Sequence, residues 1–317
     1  MITAEGLTKF YGDKCAISDL NFQITGGEIV GIVGLNGAGK TTTLRVLACL
    51  LLPSSGKVTI NGRSVSESPH EIRKHVGFLP EVPPLYQEMT VESYLRFAGE
   101  LRGLARADAR TRVDQVLEVT ATRDVRSEVI ASLSHGYRQR VGIGQAIVHA
   151  PELLILDEPP SGLDPEQIKE MRQMIRGLKG QHTILLSSHI LPEISQTCDR
   201  IMMIDQGRIV AVGTEEELTG KLTGGQHLLL TVRGDAEKAT ELVGKIEGVS
   251  ACRVDTGPAG AYRGEAVHRL DVQTKDDCRE AIARELVQAG FGLLQLRPAE
   301  TELESIFLQL TKRKEVH

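Results

Sequence analysis

Gly34-Leu-Asn-Gly-Ala-Gly-Lys-Thr-Thr42 follows the apolar run Glu28-Ile-Val-Gly-Ile-Val33 and leads into Thr42-Thr-Leu-Arg-Val-Leu-Ala48. The stretch has the form G-x-x-x-x-G-K-S/T, from Gly34 through Gly39, Lys40 and Thr41. It lies between a run that predicts a buried strand and one that predicts a helix, the context this motif requires. Glycines carry no Cβ, so the backbone approaches an anion closely and successive N–H groups can aim at phosphate oxygens. The helix N-terminus adds unsatisfied donors and a favourable dipole. Lys40 is spaced to reach the β- and γ-phosphates and the Thr41 hydroxyl to ligate Mg²⁺. The plainer alternative is a Gly-rich turn with a solvated lysine, which the rest of the chain disfavours.

Around this loop the α/β pattern continues to about residue 220. The runs Val58–Ile60, Leu153–Leu156, Thr183–Leu186 and Ile201–Ile204 are short and apolar, as strands buried on both faces are. They predict a mixed, largely parallel sheet. Between about residues 88 and 148 the strand signal stops. Val91–Leu104, Ala107–Val119 and Arg138–Val148 have helical periodicity, which predicts a helical subdomain inserted in the core.

At 317 residues the chain is long enough for roughly two domains. The expected division is 1–220 and 226–317, with Leu222-Thr-Gly-Gly225 as linker. The second domain reads as strand His227–Val232, helix Ala236–Ile246, strand Ser250–Val254, a turn at Gly257-Pro-Ala-Gly260, strand Val267–Val272, helix Asp276–Ala289 and strand Gly292–Leu296. This β-α-β-β-α-β order predicts a small α+β, ferredoxin-like domain. An amphipathic helix over Leu303–Leu310, with Ile306 and Phe307 on its buried face, is expected to end the chain. This domain carries no catalytic constellation and reads as an accessory or regulatory module.

Composition excludes several classes. A net charge of −5 gives no reason to expect a nucleic-acid partner, and 3% aromatics with no Trp argue against base-stacking platforms. No apolar run approaches the roughly 20 residues that span a bilayer, and the N-terminus lacks a signal peptide. Any membrane crossing is therefore expected of another chain. Cys15, Cys49, Cys198, Cys252 and Cys278 show neither zinc spacing nor a C-x-x-C pair, and read mostly as buried thiols in a reducing cytosol.

Leu153-Leu-Ile-Leu-Asp157-Glu158 is an apolar strand ending in two acids. Acids at the carboxyl end of a buried strand stand where parallel sheets bind ligands. Asp157 is placed to hold Mg²⁺, and Glu158 to orient or deprotonate the water that attacks a γ-phosphate. Taken alone, the pair reads equally well as a helix cap or a solvated turn.

With these motifs in order, residues 1 to about 220 resemble the ATP-binding cassette of ABC transporters, a phosphate-loop NTPase fold. The resemblance implies ATP and Mg²⁺ as cofactors. Gly34, Asn36, Gly37, Ala38, Gly39, Lys40, Thr41 and Thr42 match the phosphate loop, and Tyr11 matches the aromatic that stacks on adenine. Leu133-Ser-His-Gly-Tyr-Arg-Gln-Arg140 matches the signature segment, Ser161-Gly-Leu-Asp164 the loop after the catalytic glutamate, and His189 the switch histidine. The family signature is usually Ser-Gly-Gly-Gln. Ser134 and Gly136 persist, whereas His135 replaces a glycine. Glu81, in Gly77-Phe-Leu-Pro-Glu81, stands where the family has a glutamine; it is expected near the metal and adds negative charge beside the phosphates.

In that family two cassettes sandwich the nucleotide, the phosphate loop of one facing the signature segment of the other. A homodimer with composite ATP sites is therefore implied, peripheral to the cytoplasmic face of the membrane and driving separate permease subunits. The segment 81–90, with Pro83, Pro84, Leu85, Tyr86 and Met89, is either the permease-docking groove or a plain connecting loop. The Gly-Tyr-Arg-Gln-Arg form of the signature and the extra C-terminal domain resemble the branch serving ABC-2-type exporters, with its gliding-motility and multidrug-type cassettes. The alternative is a soluble ABC ATPase acting on nucleic acid or ribosomes. Against it stand a single cassette, no sustained heptads and an acidic balance.

Overall fold

The computed structural model describes residues 1–218, 226–262 and 265–298. Two compact units divide the chain, Met1–Thr214 and Glu215–His317. The first begins with an antiparallel hairpin, β1 (Ile2–Tyr11) and β2 (Lys14–Ile24), followed by β3 (Ile29–Val33) and α1 (Lys40–Leu47). Next come β4 (Ser55–Ile60), β5 (Arg63–Ser64), α2 (Pro69–Lys74) and β6 (Val76–Leu79). The helices α3 (Val91–Leu101), α4 (Arg106–Val119) and α5 (His135–Ile147) then precede β7 (Leu153–Asp157), α6 (Pro165–Gly177), β8 (Thr183–Ser188) and α7 (Leu191–Ser195). The strands β9 (Arg200–Asp205) and β10 (Arg208–Gly213) complete the unit.

Two sheets result. One is antiparallel, in the order β2-β1-β4-β5. The other has the order β10-β9-β3-β8-β7-β6 and is parallel except for β10, so it is mixed. Every residue of β3, β7 and β8 is buried, which explains why these strands read as unbroken apolar runs. Their register is what builds the site. Val33 pairs with Ser188 and Ser187 with Asp157, so the chain leaves all three strands at one edge. Apolar side chains such as Ile32, Leu44, Leu47, Ile155 and Leu185 lock α1 onto this sheet.

Between Thr90 and Val148 the regular elements are helices joined by turns, apart from one isolated bridge between Thr90 and Val129. Helix α3 stops at Leu101, three residues short of the expected end. Gly103 turns left-handed at φ 95° and the Leu104 N–H closes onto the Gly99 carbonyl at 3.0 Å. That is the left-handed glycine closure of a helix C-terminus. Helix α5 starts three residues earlier than its periodicity suggests, because Ser134 caps it by accepting from the Tyr137 N–H.

The second unit contains β11 (Gln226–Arg233), α8 (Ala236–Gly244), β12 (Val249–Tyr262), β13 (Glu265–Thr274), α9 (Arg279–Gln288) and β14 (Gly292–Pro298). Its sheet is antiparallel in the order β12-β13-β11-β14. Leu228, Leu230, Val232, Leu270 and Val272 pack there with Ala239, Val243, Ile282 and Leu286 of the two helices. The turn expected at residues 257–260 is instead strand: β12 runs on to Tyr262, with its register interrupted between Asp255 and Gly260. Pro258 cannot donate to a ladder, and an irregular edge strand is where a sheet tolerates it. The expected linker at 222–225 and the helix at 303–310 lie outside the described residues. Among the described residues no helix is long and apolar enough to cross a membrane.

Candidate active site

At the shared edge of β3, β7 and β8 the phosphate-type loop wraps onto α1. Gly37 and Gly39 have φ of 82° and 108°, values closed to most side chains. At Gly39 the space is also taken, because a Cβ would come within 2.6 Å of Ile17 Cγ2 and 2.8 Å of the Ala16 carbonyl. Helix α1 has no acidic residue in its first turn, which leaves its N-terminal donors and dipole open to an anion.

Lys40 is buried, and its ammonium donates to the Gly34 carbonyl at 2.8 Å. It also lies 3.3 Å from Glu158 Oε1. The other carboxylate oxygen of Glu158 accepts from the His189 N–H at 3.3 Å and stands 2.8 Å from His189 Nδ1. A carboxylate only accepts, so Nδ1 carries the imidazole proton. Glu158 has φ 49°, a left-handed conformation unusual outside glycine and held here by its surroundings. Its own N–H donates to Ser187 Oγ at 2.9 Å. Ser187 Oγ in turn donates to Asp157 Oδ1 at 2.7 Å, and Thr41 Oγ1 donates to the same oxygen at 3.1 Å. Behind His189, Ser188 Oγ donates to Glu193 Oε2, whose carboxyl burial pushes above the usual carboxylate range.

Lys40, Thr41, Glu158 and His189 open onto a cleft of about 550 Å³, within the range of small-molecule sites. Asn36, Gly37, Gly39, Lys40, Thr41 and Thr42 line it, together with Tyr11, Glu81, Glu158 and His189. Tyr11 is half exposed, as a stacking surface for a flat ring must be. Gly34 and Ala38 belong to the loop but do not line the cleft. A Cβ at Gly34 would meet the Ile204 carbonyl at 2.3 Å, and Ala38 is buried. Asp157 is likewise buried and meets the cleft-lining Thr41 through its hydroxyl. Ser134 and Gly136 do not line the cleft. They stand at the start of α5, where Gly136 faces the Gln167 side chain.

Several contributors went unread in the sequence. Lys14 and Ala16 line the cleft because the β1–β2 hairpin brings Lys14 opposite Tyr11, and Arg45 because it follows Lys40 on α1. Ser187 had a visible signal, a polar residue ending an apolar strand. Gln139 had none: buried on α5, it donates through Nε2 to the Glu81 carbonyl at 3.2 Å.

The family model described as "ABC transporter" matches residues 17–161. The linearmycin resistance ATP-binding protein LnrL of Bacillus subtilis is 31% identical over 316 residues, covering 99% of each chain. The bacitracin transport ATP-binding protein BcrA of Bacillus licheniformis is 40% identical over 212 residues, 66% of this chain and 68% of that one. A solved structure described as the ATP-binding subunit of an ABC transporter superposes with a TM-score of 0.63 at 33% identity, covering 70% of this chain and 92% of that one.

Proposed function

This chain belongs to the ABC transporter ATP-binding proteins, and we propose that it is a Mg²⁺-dependent ATPase working as a homodimer with composite sites. The observation that carries this reading is the convergence of Lys40, Thr41, Glu158 and His189 on one cleft, with Asp157 bonded to Thr41 beneath it, while Ser134 and Gly136 of the same chain do not line it. A site with every phosphate-handling group but no cover over the terminal phosphate fits completion by a second copy.

The roles follow from the contacts. The loop N–H groups and Lys40 bind the phosphates, and Tyr11 stacks on the base. Thr41 and Asp157 offer a hydroxyl and a carboxylate oxygen, hard donors suited to Mg²⁺, which supplies charge neutralisation at the phosphates when bound. Among the described residues no group of three or more His, Cys, Asp or Glu is arranged to hold a metal ion, so nucleotide and water would complete the coordination. Glu158 orients the attacking water and accepts its proton, with His189 holding the carboxylate. Glu81 lines the cleft and would bring its charge near the phosphates.

We assign residues 1–220 to the cassette and 226–317 to an accessory domain of ferredoxin-like topology. The latter is supported by its β-α-β-β-α-β order and its sheet order of second, third, first and fourth strands. The cassette would act at the cytoplasmic face of the membrane, with the segment 81–90 docking an ABC-2-type permease. Val82 and Tyr86 are exposed there, as a docking surface requires. Relatives named for linearmycin resistance and bacitracin transport support export of an antibiotic-type molecule.

Mixing two inactive variants tests the composite site. Lys40→Ala and Ser134→Ala each spoil both sites of a homodimer, but a mixed dimer keeps one intact site. ATPase activity of the mixture above the sum of the separate proteins is expected; strictly additive activities would contradict the shared site.

A further inference from the structure

His135 holds the second position of the signature segment, yet its ring leaves that segment and reaches the loop after β7. Nε2 stands 2.9 Å from the Ser161 carbonyl oxygen. A carbonyl only accepts, so Nε2 is the protonated nitrogen. The ring also lies over Gly162, which has φ 74°; a Cβ there would come within 3.2 Å of Nε2 and 3.5 Å of Cδ2. Ser161 is itself tied to the site, because its N–H donates to the Glu158 carbonyl at 3.0 Å.

A second path closes the circuit. Asp164 caps α6 by accepting from the Gln167 N–H at 2.9 Å, and the Gln167 side chain fills the space in front of Gly136. The start of α5 is thus bonded through His135 to the segment that begins at Glu158, and Gly136 lies close beside Gln167 on the helix that follows it. Glu158 needs such support, since its left-handed backbone persists only where neighbours over-determine it.

We infer that His135 is a positioning residue. Its hydrogen bond to Ser161 fixes the segment 158–164, and so the Glu158 carboxylate, to the signature helix of the same chain. A glycine at position 135 has no side chain to make this link. The inference rests on the reading of Glu158 as the carboxylate that activates water. It adds that the signature segment governs the hydrolytic group of its own chain.

The test uses the full chain with His135→Ala and His135→Gln. His135 is exposed, so neither change opens a cavity, and the Gln amide nitrogen can take the place of Nε2. Hydrogen–deuterium exchange of the Ser161 and Gly162 amides is measured without nucleotide, and ATP hydrolysis at steady state. His135→Ala is expected to speed exchange and lower kcat, each by about fivefold, the worth of one hydrogen bond, with KM for ATP within about twofold. His135→Gln is expected to restore both. Unchanged exchange in His135→Ala overturns the anchor, and unchanged kcat despite faster exchange overturns its link to hydrolysis. Glu158→Gln in the same assay reports on the underlying reading separately. Undiminished turnover by that variant removes Glu158 from the chemistry, whatever His135 does.

Discussion

Lys40 Nζ stands 3.3 Å from Glu158 Oε1, so the cation we propose to bind phosphate and the carboxylate we propose to activate water form an ion pair with one another. Both side chains are largely buried, at 6% and 10% exposure, and neither charge is left alone in a low-dielectric site. A triphosphate offers Lys40 more negative charge than one carboxylate does. Its arrival would draw the ammonium away and release Glu158 Oε1 toward the attacking water, with Oε2 still held by His189.

Lys40→Ala removes the cation common to both pairings. ATP affinity is expected to fall by about 1.5–3 kcal/mol, the worth of a charge-assisted hydrogen bond, or roughly 10- to 150-fold in Kd. Titration of a fluorescent ATP analogue measures it. Affinity equal to wild type would count against the phosphate-loop assignment.

Ser187→Ala is expected to harm stability and activity together. The hydroxyl bridges the Glu158 N–H and Asp157 Oδ1, and its loss leaves a buried N–H without a partner at a cost of about 1–3 kcal/mol. For a unit of this size that is a fall in Tm of roughly 3–9 °C. Turnover at limiting Mg²⁺ is also expected to drop, because Asp157 loses one of its two hydroxyl partners. A variant with wild-type Tm and Mg²⁺ dependence would show that the bridge does not matter.

The unequal legibility of the site follows from which contacts are local. The strand, glycine loop and helix around Lys40 lie within 20 consecutive residues, and the apolar run before Asp157 announces a buried strand, so both were readable. The role of Ser187 depends on the pairing of β8 with β7, which places it beside Asp157. Gln139 reaches Glu81 across 58 positions, and His135 reaches Ser161 across 26. No periodicity encodes such pairs. In the second unit the Gly-Pro signal at 257–260 marked a real break in the ladder, but on an edge strand the break becomes an irregularity and the strand continues.

Glu81→Gln removes a negative charge from the cleft wall. ATP affinity is expected to rise by about three- to tenfold, the scale of one partly screened charge a few ångströms from the phosphates. Isothermal titration with ATP checks this in a hydrolysis-deficient background. An unchanged Kd would place the Glu81 side chain away from the phosphates.

Acid is expected to weaken the first unit through His149. Burial, with Arg102 adding repulsion, lowers its pKa from 6.5 to about 4, while Nε2 faces the Val76 carbonyl at 3.2 Å. Between those two values the unfolded chain binds a proton that the folded chain does not, so stability falls as pH drops from about 6.5 toward 4 and is level above 7. Burial lowers the His182 pKa as well, with the same sign. Urea unfolding at pH 7.5 and 5.0 is expected to show His149→Gln losing less stability on acidification than wild type, by on the order of 1 kcal/mol. Equal losses in the two proteins would remove His149 from the acid response.

Glu158→Gln removes the proposed acceptor for the proton of water and leaves the phosphate loop intact. The variant is expected to bind ATP, to lose at least about 100-fold in turnover, and to accumulate with Mg²⁺ and ATP as a species of twice the 34.6 kDa chain mass. Sedimentation or light scattering with and without ATP reads that mass. A variant that binds ATP yet stays at the mass of one chain, or hydrolyses at the wild-type rate, would contradict the account.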